Sequence, residues 1–313
     1  MSQSFHETRV GRRRFLSRVG CGVAAAAAWP AAFEAPAGEA PALPPIATFS
    51  KVFQELKLSY DESAEITAAV GLDGVDCPVR PGGQVAPERV GEELPRYVEA
   101  LGKRKLRLLL LTTAILSPAT PHAETILRLA RQFGVKYYRL GYWNYRNGET
   151  PGRLLREIQA QLKDLERLNR ELGMCAIFQN HSGGGIVGAK VRDMYEAVRC
   201  CDPEFVGIAF DLSHALIELG EDWRTAFNEL RSHFRIAYVK DVKRPSHFCR
   251  FGEGELGPSG FFKLLASLGY RAPVSMHTEY DWEGKGNPKT REALTKALGD
   301  DLGVLRRWLA AGA

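Results

Sequence analysis

No run of about 18 apolar residues occurs in the chain, so no segment is expected to cross a membrane as a helix. No Gly-rich dinucleotide turn follows the first predicted strand, which weighs against an open doubly wound sheet. The six cysteines include no C-x-x-C pair. Beyond Cys21 they leave Cys77, Cys175, Cys200, Cys201 and Cys249, an odd set that fits neither a disulfide framework nor a zinc cluster. Basic excess is also missing from the body of the chain. Of 42 basic and 37 acidic residues, the first 35 positions hold Arg9, Arg12, Arg13, Arg14 and Arg18 against Glu7 and Glu34. The remainder has 37 basic and 35 acidic residues, a net +2, which gives no electrostatic case for nucleic acid. What is present is ordinary globular usage, 45% hydrophobic and 25% charged over 313 residues. That length fits two average domains or one α/β barrel with an extension.

The surplus arginines have a local explanation. Arg12-Arg13-Arg14-Phe15-Leu16 precedes Ser17 and a weakly apolar run from Val19 to Trp29, dominated by Ala24–Ala28. A charged start, a short apolar region and small residues beyond it are the parts of a secretory signal, and paired arginines before Phe-Leu resemble the twin-arginine export signal. Pro30, Pro36, Pro41, Pro44 and Pro45 argue against a first helix of the fold. The expected organisation is therefore a twin-arginine signal over 1–37, a Pro-rich linker over 38–45 and one domain over 46–313. The expected partner is the export machinery, and the destination the periplasm.

Beyond the linker, short β-rich runs alternate with helical patterns. Strands are expected at Ile46–Ser50, Gly74–Val79, Leu106–Thr112, Lys136–Tyr142, Met174–Asn180, Phe205–Asp211, Ile236–Asp241 and Pro273–Glu279. Helices are expected near Ser63–Val70, Glu92–Lys103, Ala123–Phe133, Arg153–Leu172, Lys190–Cys200, Trp223–His233, Phe261–Leu268 and Asp300–Ala310. Leu108–Leu111 and Phe205–Phe210 are continuous apolar runs, as parallel strands covered on both faces require. Eight such units in one domain are the arithmetic of an α/β fold with a single (β/α)8 barrel.

In that architecture chemistry collects at the C-terminal strand ends. Three of seven histidines, His181, His214 and His277, fall there, with Asp211 and Glu279. Imidazoles and carboxylates converging on one rim point to a divalent-metal site able to polarise a carbonyl or align two hydroxyls. Lys240 is placed to steady an enolate or to pair with Asp241, and Tyr142 and Trp143 to stack on a sugar ring. Arg80, Lys51 and Arg139 are the available anion partners.

The order and content of these strand ends resemble the sugar phosphate isomerase/epimerase group, the xylose isomerase-like TIM barrels. The likeness rests on Asp211-x-x-His214, on Lys240-Asp241 and on the Gly252-Glu253-Gly254-Glu255 loop. Asn180-His181-Ser182-Gly183 and Ser275-Met276-His277 also fit in position. The resemblance implies one divalent ion (Mn, Mg, Zn or Co) and an enediolate intermediate whose proton is moved by two glutamates. It also implies that Asp211 is a ligand and that His214 faces the substrate. The chain departs from the pattern at Gln179, Tyr238 and His277, where the group has Glu, His and Glu. A Gln carbonyl coordinates weakly and takes no proton at neutral pH.

The expectation is an exported sugar or sugar phosphate isomerase/epimerase. His277, Glu279, Lys240 and His214 are its catalytic residues, and Tyr142, Trp143, Gln179, Tyr238 and Arg80 hold the substrate. Asp211, His181, His277 and Glu279 are the metal ligands of this reading, a small carbohydrate is the partner, and self-association is expected. The alternatives are a metal-assisted lyase or hydrolase of keto-glycosides and a non-catalytic carbohydrate-binding barrel.

Overall fold

The computed structural model describes residues 43–284 and 287–312. The segment expected to be an export signal and most of the expected linker lie outside the described residues.

Eight parallel strands close into a barrel. They are β1 (Ile46–Phe49), β2 (Gly74–Val79), β3 (Arg107–Thr113), β4 (Tyr137–Arg139), β5 (Cys175–Gln179), β6 (Val206–Asp211), β7 (Phe234–Val239) and, after a hairpin, β10 (Val274–Met276). The closure pairs Ile46 of β1 with Val274 of β10. All eight predicted strands are present. The second keeps its expected bounds, the third is displaced by one residue, and the first, fifth and sixth are shorter by one or two. The seventh starts and ends two residues earlier, at Phe234 and Val239, and the fourth and eighth contract to three residues. The strands are buried almost end to end because helices cover the outer face and side chains fill the inside, as Ala47, Leu110, Cys175, Ile177, Ala209, Ile236 and Tyr238 do here. Gly74 opens β2 where any Cβ would overlap the Arg107 carbonyl of β3, so the first turn of that pair tolerates only glycine.

Helices fill the gaps between strands, close to their predicted spans, and the last reaches back to Arg291. Asn169, on the helix Pro151–Leu172, accepts a 2.9 Å hydrogen bond from Tyr138 Oη of β4 and donates one of 2.9 Å to the Phe205 carbonyl. This fully buried amide locks a long helix in register with two strands.

Besides short 3-10 turns at Pro87–Arg89 and Gly220–Asp222, the structure adds a five-residue helix at Lys51–Glu55, a helix at Leu212–Leu219 and an antiparallel hairpin to the expected set. The hairpin joins β8 (Asp241–Lys243) to β9 (His247–Cys249) through a turn with a cis Arg244–Pro245 bond. The helix and hairpin both rise from the rim where β6 and β7 end. They narrow its mouth.

The final helix, Arg291–Gly312, is fastened to that rim by Asp301. This buried carboxyl accepts from Phe251 N (3.1 Å), Thr278 Oγ1 (2.9 Å) and Tyr280 Oη (3.1 Å). Burial outweighs these bonds and lifts its pKa from 3.8 to about 6. The folded chain thus holds a proton there that the unfolded chain has released. The stability this proton brings is full below about pH 4 and lost as pH rises through 6, by about 3 kcal/mol. Asp301→Asn preserves the shape and removes the titration. Urea unfolding at pH 4 and 7 should show the wild type losing about 3 kcal/mol relative to the Asn variant; an equal difference at both pH values contradicts the assignment.

Candidate active site

β6, β7 and β10 are neighbours in the barrel, and their C-terminal ends deliver Asp211, Lys240 and Glu279 to one point. Lys240 Nζ lies 3.2 Å from Asp211 Oδ2 and 3.1 Å from Glu279 Oε2. Asp211 is fully buried and its side chain does two tasks. Oδ1 caps the Leu212–Leu219 helix at the His214 N–H, while Oδ2 also accepts a 2.9 Å bond from Gln179 Nε2. Asn180 fixes the Asp211 backbone from both sides, accepting from its N–H at 2.7 Å and donating to its carbonyl at 2.9 Å.

Adjacent strand residues point to opposite faces, and Lys240 and Asp241 obey that rule. Lys240 enters the rim. Asp241 turns away and accepts four backbone N–H groups, from Val242 (2.9 Å), Leu256 (3.0 Å), Gly252 (2.9 Å) and Gly254 (3.0 Å). The alternative Lys240–Asp241 pairing is thereby replaced by the Asp211–Lys240–Glu279 triad.

Glu279 is the outermost carboxylate, its side chain 22% exposed, with Lys51 Nζ 3.4 Å from Oε1 and His277 Nδ1 3.4 Å from Oε2. His277 Nε2 meets Ser275 Oγ at 3.1 Å, and Ser275 donates on to buried Asp76 at 2.8 Å, which Thr112 also holds at 2.9 Å. A second group stands opposite. The His181 and His214 rings lie 3.9 Å apart, Ser182 Oγ meets His214 Nδ1 at 2.8 Å, and Tyr142 Oη donates to Gln179 Oε1 at 2.8 Å. Between the groups opens a cavity of about 350 Å³, lined by His181, Ser182, His214, Lys240, Phe248 and Glu279 among others.

Burial works against each of these charges, and the triad overcomes it. Lys240 is buried, yet Asp211 and Glu279 hold its pKa above the ordinary lysine value. Burial likewise opposes ionised Asp211 and Glu279, but Lys240 draws both below the usual range, Glu279 well below. Burial takes His214 down to about 3 against the pull of Asp211, and also lowers His181, so both imidazoles are neutral. Burial raises Tyr142, which keeps its proton. At neutral pH the Lys240 ammonium, the Asp211 and Glu279 carboxylates and the neutral His181 and His214 imidazoles face one another at the rim.

Not every expected residue joins it. Trp143 is buried edge-on against Phe178, its Nε1 donating to Gln161 at 2.7 Å, and Tyr238 fills the barrel interior beneath His277. Both are packing residues, because the pleat and the contraction of β4 turn them away from the mouth. Arg80 reaches the Phe49 ring at 5.9 Å, and the Arg139 guanidinium stacks on Tyr142 at 4.6 Å, both outside the cavity lining. Phe248, Ile217 and Ser246 line the cavity and were missed, since they belong to the unpredicted hairpin and helix.

The divalent ion expected at Asp211, His181, His277 and Glu279 does not fit this arrangement. Lys240 already stands between the two carboxylates. Gln179 presents an N–H, not an oxygen, to Asp211, while His277 Nε2 meets Ser275 and His181 Nδ1 meets the Ser182 carbonyl at 2.8 Å. Among the described residues, no group of three or more His, Cys, Asp or Glu side chains is placed to hold a metal.

The sequence pattern of the xylose isomerase-like TIM barrel matches residues 64–307, well over half of the chain. The chain belongs to that family. No curated protein matches it in sequence. Solved structures share the fold of this barrel at low identity. The apo 3-keto-D-glucoside 4-epimerase of E. coli aligns with a TM-score of 0.65 at 14% identity, over 85% of this chain and 100% of its own. A probable 3-DHS dehydratase of petrobactin synthesis in Bacillus anthracis gives 0.63 at 13%, over 83% and 98%. A xylose isomerase-like TIM barrel protein of Mycobacterium smegmatis in complex with magnesium gives 0.62 at 12%, over 86% and 97%.

Proposed function

We propose that this family member is a sugar-modifying enzyme that forms the enolate of a keto-sugar at the Lys240–Glu279 edge of the rim. The observation that carries the reading is the Asp211–Lys240–Glu279 triad at the wall of the cavity. An ammonium has three donors. Two are spent on the carboxylates, and the third is available to a substrate oxygen in the cavity. A carbonyl oxygen there gains negative charge as the adjacent C–H bond breaks, and a fixed, buried ammonium favours that charge.

Glu279 is the base of this reading. Its Oε1 faces only the long contact to Lys51, whose side chain is 43% exposed and free to yield to substrate. His277, set behind Oε2 and itself held by Ser275, positions the carboxylate. Neutral His214 and His181, with Ser182, offer hydrogen bonds to sugar hydroxyls. Gln179 is fixed by Tyr142 and Asp211 and moves no proton.

One base on one side of the substrate suits transfer of a proton between neighbouring carbons, as in isomerisation, because the proton leaves and returns on the same face. Epimerisation by direct exchange asks for a second base opposite. The same single base also suits elimination from a keto-glycoside, with the neighbouring bond expelling its oxygen. The dehydratase among the structural neighbours has a reaction of that second type in its name. Export to the periplasm is part of the proposal and rests on Arg12-Arg13-Arg14-Phe15-Leu16 and the weakly apolar run from Val19 to Trp29.

Incubation of the protein with ketoses and 3-keto-glucosides in D2O, followed by NMR, tests the chemistry. Deuterium is expected on the carbon next to the carbonyl, at a rate reduced ~10²-fold or more by Glu279→Gln. An isomerised sugar identifies the first reaction and a released aglycone the second. Exchange at an unchanged rate in Glu279→Gln, or no exchange with any keto-sugar, overturns the assignment of the base.

A further inference from the structure

We infer that Lys240 is a built-in cation, filling the place between the strand-end carboxylates where a divalent ion would otherwise bind and keeping that place closed to metal. Asp211 Oδ2 and Glu279 Oε2 are each within 3.2 Å of Nζ and approach it from neighbouring walls of the barrel. A divalent ion draws such oxygens in to about 2.0–2.5 Å, so it and the ammonium cannot share the gap. To enter, the metal must push Lys240 out of two ion pairs and find its chain another position. There is little room for that, since the side chain is 5% exposed and its Nζ sits 4.9 Å over the Phe248 ring. The neighbours conform to the ammonium as well. Gln179 donates to the same Asp211 oxygen, and Tyr142 donates to Gln179 Oε1, so the amide is fixed with its hydrogen side toward the gap.

Shortening Lys240 removes the competing charge and leaves two carboxylate oxygens facing an empty gap. Water completes a shell of oxygen around these two carboxylates that suits Mn2+. The metal site is thus latent and a single side chain closes it. This goes beyond the proposed reaction, and occupancy is read without turnover. It shares the Asp211–Lys240–Glu279 triad with that reading, but failure of the sugar chemistry alone leaves it standing.

The full chain, freed of metal by chelator dialysis, is titrated with MnCl2 while free Mn2+ is followed by electron paramagnetic resonance. Lys240→Ala and Lys240→Gln are treated in parallel. The wild type is expected to show no stoichiometric site. The Ala variant should bind one Mn2+ per chain at least ~10-fold more tightly than the wild type, with a Tm that rises on adding the ion. One Mn2+ per wild-type chain at the affinity of the variant overturns the inference, as do folded variants that bind no better than wild type. Should neither variant fold, the wild-type titration decides alone. One tight ion contradicts a closed site and none supports it.

Discussion

Lys240→Met is expected to destabilise the protein by about 3–5 kcal/mol, because it leaves fully buried Asp211 without a counter-charge and facing Glu279, which keeps only the half-exposed Lys51. The net value of the intact triad is a separate and smaller quantity, since burying three charges itself costs free energy. Removal of one partner exposes that cost in full. A double variant separates the two effects. Lys240→Met with Asp211→Asn should recover a large part of the loss, although Asp211→Asn alone is also destabilising, as it weakens the helix cap and the bond from Gln179. Denaturant unfolding of the four proteins gives the coupling. A loss below about 1 kcal/mol for Lys240→Met means the pair is screened as a surface pair would be, and the electrostatic account of the rim fails.

Asp241→Ala is the second substitution with a large expected effect, again about 3–5 kcal/mol. It orphans four backbone N–H groups at once, and each buried unpaired donor costs about 1–3 kcal/mol before water relieves part of it. The Gly252–Leu256 loop wraps so closely around this carboxylate that a Cβ on Gly254 would collide with Asp241 Oδ1 and the Val242 carbonyl. Aspartate and glycine therefore specify one another here. Asp241→Asn should fall between, because its NH2 faces two N–H donors that it cannot accept. Hydrogen exchange at the Gly252, Gly254 and Leu256 amides reports the loop directly. Protection lost in Asp241→Ala, with the barrel strands still protected, is the expected pattern, and unchanged protection contradicts it.

Much of this fold was legible because burial on both faces writes strands as unbroken apolar runs. Leu108–Leu111 and Phe205–Phe210 read as barrel strands and are. Other parts were misread for identifiable reasons. The helix at Leu212–Leu219 follows β6 without a loop, so Asp211 and His214 look like strand-end polar residues when Asp211 is also the helix cap. The hairpin at Asp241–Cys249 is two three-residue strands around a proline, too short for any periodicity to show.

The site divides along similar lines. Two-residue spacing placed His277 and Glu279 on one side of the chain as it leaves β10, where they meet. The same rule, applied to Lys240 and Asp241, sends them to opposite sides and excludes their pairing. Strand ends could be located from the sequence, but which long side chains would meet across three strands could not. The meeting of Lys240 with Asp211 and Glu279 depends on rotamers, and the bond from Gln179 on the direction of its amide. Neither leaves a trace in spacing.

Anomalous diffraction from wild-type crystals grown in manganese shows which cation holds the gap. Lys240 Nζ is expected in density between Asp211 and Glu279, with no manganese peak there. A manganese peak between the two carboxylates, with Lys240 swung away from them, would contradict it.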